Sequence, residues 1–71
     1  MNSINPKKLL NSKWTAVNPV NREKHFIVTE VKFDVDDTII HCLLEAIVNR
    51  RSFSIQWREL KDSSVWIAGW Q

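Results

Sequence analysis

Thr38-Ile39-Ile40-His41-Cys42-Leu43-Leu44-Glu45-Ala46-Ile47-Val48-Asn49 is the stretch on which the fold turns. Read at a period of 3.6, Ile39, Ile40, Leu43, Leu44, Ile47 and Val48 form a helical stripe that Asp36 or Asp37 would cap. Read at a period of two, Ile40, Cys42, Leu44, Ala46 and Val48 share one face, and Ile39, His41, Leu43, Glu45 and Ile47 the other. Two features favour the strand. Ile39, Ile40, Ile47 and Val48 are β-branched and stiff at χ1, which suits a pleated surface better than a helix. The flanking segments, Asp34–Asp37 and Asn49–Arg51, are short enough for hairpin turns. We read residues 38–48 as a strand.

The neighbouring segments agree with this reading. Residues 24–33 are rich in β-branched and aromatic types; Ile27, Val31 and Phe33 fall on one face, Phe26 and Val28 on the other. In Ser52–Arg58, Phe53, Ile55 and Trp57 alternate with Ser52, Ser54, Gln56 and Arg58, the clearest strand pattern in the chain. Lys13–Val17 reads as a shorter strand, followed by a loop over Asn18–Arg22 that Pro19 and two asparagines punctuate. Asn5 followed by Pro6 marks the start of a short helical turn over 6–10, because proline's missing N–H would be unpaired at that position anyway. A second helical turn is expected near 61–67, with Trp66 and Trp70 four apart on one of its faces and Gly69 allowing a bend. The expected architecture is all-β or β-dominated, one domain over 1–71. It is an antiparallel meander of about four strands (13–17, 24–33, 38–48 and 52–58), since short connections favour sequential pairing.

Seventy-one residues bury only about 60% of the surface that the unfolded chain exposes, so the stability margin is thin. Cys42 is the only cysteine, and neither a disulfide nor a zinc-type Cys/His spacing is available. Large core side chains are the remaining resource. The four tryptophans, each removing roughly 150–250 Å² from water when buried, answer to that need. A hydrophobic share of 44% with 25% charged residues is that of a globular domain, and no apolar run is long enough to span a bilayer. Lys7 and Lys8 precede only two leucines, so no export signal is read; with a lone cysteine this points to the cytoplasm.

The residues offer little for catalysis. His41 and Cys42 are adjacent, and on a strand they point to opposite faces. Cys42 lies between Ile40 and Leu44 and reads as a buried, inert thiol, while His25 reads as a surface or packing residue. Asp34, Asp36 and Asp37 make a solvated turn; a calcium loop would need a central glycine and a closing glutamate. A single glycine excludes a glycine-rich phosphate loop. The expectation is a non-enzymatic protein with no catalytic, metal or cofactor residues.

Several blocks have a familiar combination. Asn5-Pro6-Lys7-Lys8-Leu9-Leu10, Ser12-Lys13-Trp14-Thr15-Ala16-Val17, Arg22-Glu23-Lys24-His25-Phe26, Trp57-Arg58-Glu59-Leu60-Lys61-Asp62 and Trp66…Gly69-Trp70 resemble a family of small tryptophan-rich bacterial proteins of unknown function, known chiefly from cyanobacteria and proteobacteria. The resemblance spans nearly the whole chain and is weakest over 34–50. It implies no activity.

Two binding readings remain. The first is a protein-interaction or accessory module with an unknown protein partner. It would be a monomer, or a weak homodimer joined through an open sheet edge. The alternative is RNA or single-stranded DNA. Residues 1–33 carry a net charge of +4 and residues 34–71 a net −2, so the contact would lie on Lys7, Lys8, Lys13, Arg22 and Lys24, with Trp14 as the aromatic among them. Trp57, Trp66 and Trp70 are expected to form a structural cluster that closes the open side of the sheet.

Overall fold

A computed structural model describes residues 1–71. Five strands form one antiparallel sheet: β1 Lys13–Val20, β2 Glu23–Phe33, β3 Ile39–Ala46, β4 Ser52–Ser54 and β5 Trp66–Ala68. Their order across the sheet is β4-β3-β2-β1-β5. Two short 3₁₀ turns, Pro6–Lys8 and Trp57–Lys61, complete the regular structure. No helix is long and apolar enough to cross a membrane. The β-dominated class is as the sequence predicts, with a fifth strand that the alternation pattern does not reveal.

The deciding stretch is a strand. β3 pairs along β2 from Phe26↔Ala46 to Phe33↔Ile39. Its core face is Cys42, Leu44 and Ala46, as the period of two places them, whereas Ile40 and Val48 are exposed. The register slips twice, between Val28 and Glu30 and between Lys32 and Phe33. The first slip changes the predicted faces of β2. Phe26 and Val28 are buried, and the extra residue at Thr29 turns Val31 onto their side, because a bulge resets the alternation. Val31 therefore packs against the core with Phe26 and Val28, not opposite them. The second slip leaves Ile40 out of the pairing.

Three further expectations are corrected. The loop expected at Asn18–Arg22 is mostly strand: β1 runs on to Val20, and Asn21 and Arg22 alone make the turn, at φ of 56° and 65°. Two consecutive left-handed residues match the twist of a two-residue hairpin. Pro19 is tolerated because β5 pairs with β1 only over Trp14–Ala16, so Pro19 lies on an open edge. The strand expected over 52–58 ends at Ser54, after which Ile55 N–H donates once more to the Cys42 carbonyl. Local bonds then take over. Gln56 N–H donates to Glu59 Oε2 at 3.0 Å, and Glu59 N–H to the Gln56 carbonyl at 2.9 Å, starting a 3₁₀ turn where a ladder was predicted. Phe53, Ile55 and Trp57 nonetheless all pack against the core. The helical turn expected near 61–67 is displaced to Trp57–Lys61, and Trp66 lies instead in β5.

One face of the sheet carries the core: Leu9, Trp14, Phe26, Val28, Cys42, Leu44, Ala46 and Leu60. Leu9, just after the first 3₁₀ turn, and Leu60, within the second, cover it. Asn2 fastens the segment leading into the first turn to the second turn and to β5. Its side-chain amide donates to the Leu60 carbonyl at 2.9 Å and the Trp66 carbonyl at 2.8 Å, and its backbone N–H to the Lys61 carbonyl. At the far end of the sheet Glu23, 5% exposed, accepts from Arg51 Nε at 2.7 Å, Arg51 Nη2 at 2.6 Å and Asn49 Nδ2 at 2.9 Å. This bidentate arrangement locks the start of β2 to the turn between β3 and β4. It holds the Glu23 carboxyl at about 2, well below its ordinary 4.5, chiefly through the hydrogen bonds from Arg51 and then Asn49.

With so few buried residues, Leu60→Ala leaves a cavity that the cover cannot easily close. We predict a loss of about 2–5 kcal/mol by urea denaturation. Because the Glu23 pKa is lowered on folding, its stabilisation is whole above pH 4.5 and is lost as pH falls toward about 2. Arg51→Ala removes the main cause of that shift. Its acid-unfolding midpoint, followed by tryptophan fluorescence, is expected to lie at higher pH than that of the parent.

Candidate functional site

The six residues singled out for an anionic partner do not form one surface. Lys7 and Lys8 belong to the first 3₁₀ turn, and Lys13 opens β1. Arg22 lies in the β1–β2 turn and Lys24 near the start of β2, at the opposite end of that hairpin from Lys13. Trp14 is 3% exposed and points into the core, with Nε1 donating to Ser12 Oγ at 2.9 Å. It cannot serve as a stacking platform. What the structure does bring together is Lys8 and Lys13, which line the same recess.

The three tryptophans expected to cluster divide between the two faces. Trp57 and Trp66 are half-buried against the core, Trp66 edge-on to Phe26 with centroids 5.0 Å apart. Arg58 and Lys61 lie over the Trp57 ring at 5.8 and 4.9 Å. Trp70 is on the other face. Gly69, at φ +84°, turns the chain back across the sheet, a conformation that side chains other than glycine's rarely adopt.

The segment after β5 is held by a network around Thr15. Gly69 N–H donates to the Lys13 carbonyl at 2.8 Å, extending the β1–β5 ladder. The Thr15 hydroxyl, itself buried, donates to the Gly69 carbonyl at 2.7 Å and accepts from Gln71 N–H at 3.0 Å. Trp70 Nε1 donates to the Phe26 carbonyl at 2.9 Å. Lys13 Nζ stands 5.4 Å from the centre of the Trp70 ring, and His25 packs on it at 6.0 Å with Nε2 3.0 Å from the Gln71 carbonyl. The indole is thus fixed yet remains 44% exposed.

Beside it lies an apolar strip. Thr15 pairs with Ile67, so alternation places Ile67, and Val17 two residues beyond Thr15, on the face that Trp70 crosses; Val65, whose carbonyl accepts from Val17 N–H, lies in the turn before β5 and lines a recess with Ala16 and Trp66. Val17 and Ile67 are each 39% exposed. Sequence reasoning passed over these aliphatics. The signal was present in Val65-Trp66-Ile67-Ala68: in an apolar run folded as an edge strand, every second side chain must face away from the core.

The nucleophile candidates are placed apart from these surfaces. Cys42 is buried, and burial pushes its thiol pKa up, which keeps the thiolate scarce. His41 Nε2 lies 3.6 Å from Glu30 Oε1, which Lys32 also approaches at 3.3 Å.

These features define a small antiparallel β protein with one covered face, in which a tryptophan-bearing tail crosses the other. The family model described as Tryptophan-rich protein (DUF2389), a family of unknown function, matches residues 12–71, and the chain belongs to that family. No curated protein and no solved structure matches it.

The tail network generates a prediction. Removing residues 65–71 deletes β5, uncovers Thr15 and strips Trp66 from Phe26. The truncated chain is expected to lose the dispersed amide spectrum of the full chain; an unchanged spectrum and thermal midpoint would show the tail to be dispensable.

Proposed function

We propose that this protein is a non-enzymatic cytoplasmic binding module that engages another protein through the outer face of β1 and β5. The observation that carries the reading is the exposed group Val17, Ile67 and Trp70, gathered on the outer face of β1 and β5. An apolar strip of this kind, bordered by Lys13 and His25, has the composition of an interface centre with a polar rim. Trp70 is already held by its indole hydrogen bond, so little side-chain freedom remains to be lost on binding. The nucleic-acid alternative is less well supported, because Trp14 is buried and Arg22 and Lys24 lie away from Lys13.

The test compares the full chain with Ile67→Glu and with Val35→Glu, the latter placing a charge at a 99% exposed site in the β2–β3 turn. Both variants are expected to fold. Ile67→Glu is expected to weaken binding of the captured protein partner by about thirtyfold or more, the effect of losing a central contact, while Val35→Glu leaves it unchanged. A partner retained by Ile67→Glu, or one released by nuclease, would overturn the reading.

A further inference from the structure

The free positive charge of this molecule is unevenly distributed. Lys32 lies beside Glu30, Arg50 beside Glu45 and Arg51 beside Glu23, and Arg58 and Lys61 rest on Trp57. Lys8 and Lys13 enter no ion pair, although Lys13 Nζ, like Lys61 on Trp57, rests over an indole, that of Trp70. They face a recess of about 530 Å³ between the first 3₁₀ turn and the end of the β1–β5 ladder. Trp14 and Ala68 contribute apolar walls, and no carboxylate lines it.

The polar lining is unusually rich in uncommitted donors. Asn5 uses its Oδ1 to cap the turn, accepting from Lys7 N–H at 3.0 Å, which leaves its amide N–H groups free. Asn11, held at φ 67°, and Ser3 make no side-chain hydrogen bond, although both line the recess. Ser12 is committed, its hydroxyl donating to the Leu9 carbonyl and accepting from Trp14. The recess is therefore lined by two lysines, two amides and a hydroxyl, with no carboxylate to compete for them, and Lys13 would swing its ammonium from the Trp70 ring to meet an anion there.

We propose that this recess is an anion site that takes the phosphate group of a small phosphorylated ligand, with Lys8 and Lys13 as the charge partners and Asn5 and Asn11 as neutral donors. A phosphate fits this lining better than a carboxylate does. It carries close to two negative charges and has several acceptor oxygens, and lysine binds it as a point charge without needing bidentate geometry. A phosphodiester backbone has the same chemistry. It would need further cationic stations along a track, and two of the other cations outside any ion pair, Arg22 and Lys24, lie at the other end of the β1–β2 hairpin. Lys7, although adjacent in sequence, faces a different recess with Phe33 and Asp37. The site shares Lys13 with the border of the apolar strip on β1 and β5, while Lys8, Asn5 and Asn11 belong to the recess alone.

The test titrates the ¹⁵N-labelled full chain with pyrophosphate, and in a separate arm with an oligothymidylate, at about 50 mM salt. Pyrophosphate is expected to move the amides of Asn11, Ser12, Lys13 and Gly69 and the side-chain amides of Asn5 and Asn11. Lys8→Gln is expected to keep the dispersed spectrum and to weaken pyrophosphate binding roughly tenfold, the cost of one charge-assisted hydrogen bond. Lys7→Gln and Arg22→Gln are expected to bind as the parent does. Absence of these shifts with millimolar pyrophosphate would overturn the proposal. So would equal weakening by all three substitutions. Oligothymidylate binding without pyrophosphate binding would overturn it as well, since that assigns the lysines to a strand-tracking surface.

Discussion

The pairing of β2 with β3 is the constraint from which the rest follows. It is the longest ladder in the molecule, and it holds Phe26, Val28, Cys42, Leu44 and Ala46 on one face. The other elements build outward from it, with β5 joined through β1. β1 pairs on one side and β4 on the other, and the two 3₁₀ turns bring Leu9 and Leu60 over the face that the ladder makes apolar. The bulge at Thr29 belongs to this constraint: without the extra residue, Val31 would turn outward and Glu30 inward.

A single sheet has two faces and two edges, and a chain of this size can cover little of either. The two outermost strands are both three residues long, so the far end of β1 is left as an open edge, where Pro19 removes a backbone donor. The core face is covered by turns anchored through Asn2. The outer face is crossed only near Thr15, where the last residues of the chain satisfy a buried hydroxyl and fix Trp70. The remaining outer surface of β1 and β5 is apolar and open. The surface proposed for protein contact therefore exists because a small sheet has too few residues to cover both of its faces.

How much of this was legible depends on where each bond partner lies. The strand character of β3 was readable from β-branching in Ile39 and Ile40, because χ1 stiffness is a property of the residue itself, whereas Ile47 and Val48, read as part of the strand to 48, lie in the turn after Ala46. The turn at Asn5-Pro6 was readable for the same reason: the cap and the proline are local chemistry. The end of β4 was not. Ser52–Arg58 alternates perfectly, and the choice between ladder and 3₁₀ turn rests on Glu59 reaching back to Gln56 N–H and on Leu60 finding the core. The lysines were correctly seen as in excess, yet their grouping by sequence neighbourhood was misleading. A hairpin separates Lys13 from Arg22, and a tight turn directs Lys7 and Lys8 to different recesses.

The sequence by itself determined the β-dominated class, the burial of Cys42, the turn between β2 and β3 and the family. Each of these rests on residue type and on spacing within one segment. Tertiary structure alone decided that Trp14 is core, that Trp66 and Trp70 lie on opposite faces of the sheet, and that Lys8 and Lys13 share a recess. The physical reason lies in the partners. Trp70 is placed by a carbonyl on β2 and a left-handed glycine, and Lys8 meets Lys13 only because Leu9 folds the first turn onto the sheet. Bonds between residues more than forty positions apart, such as Trp70 to Phe26 and Asn2 to Leu60, leave no periodic mark along the chain.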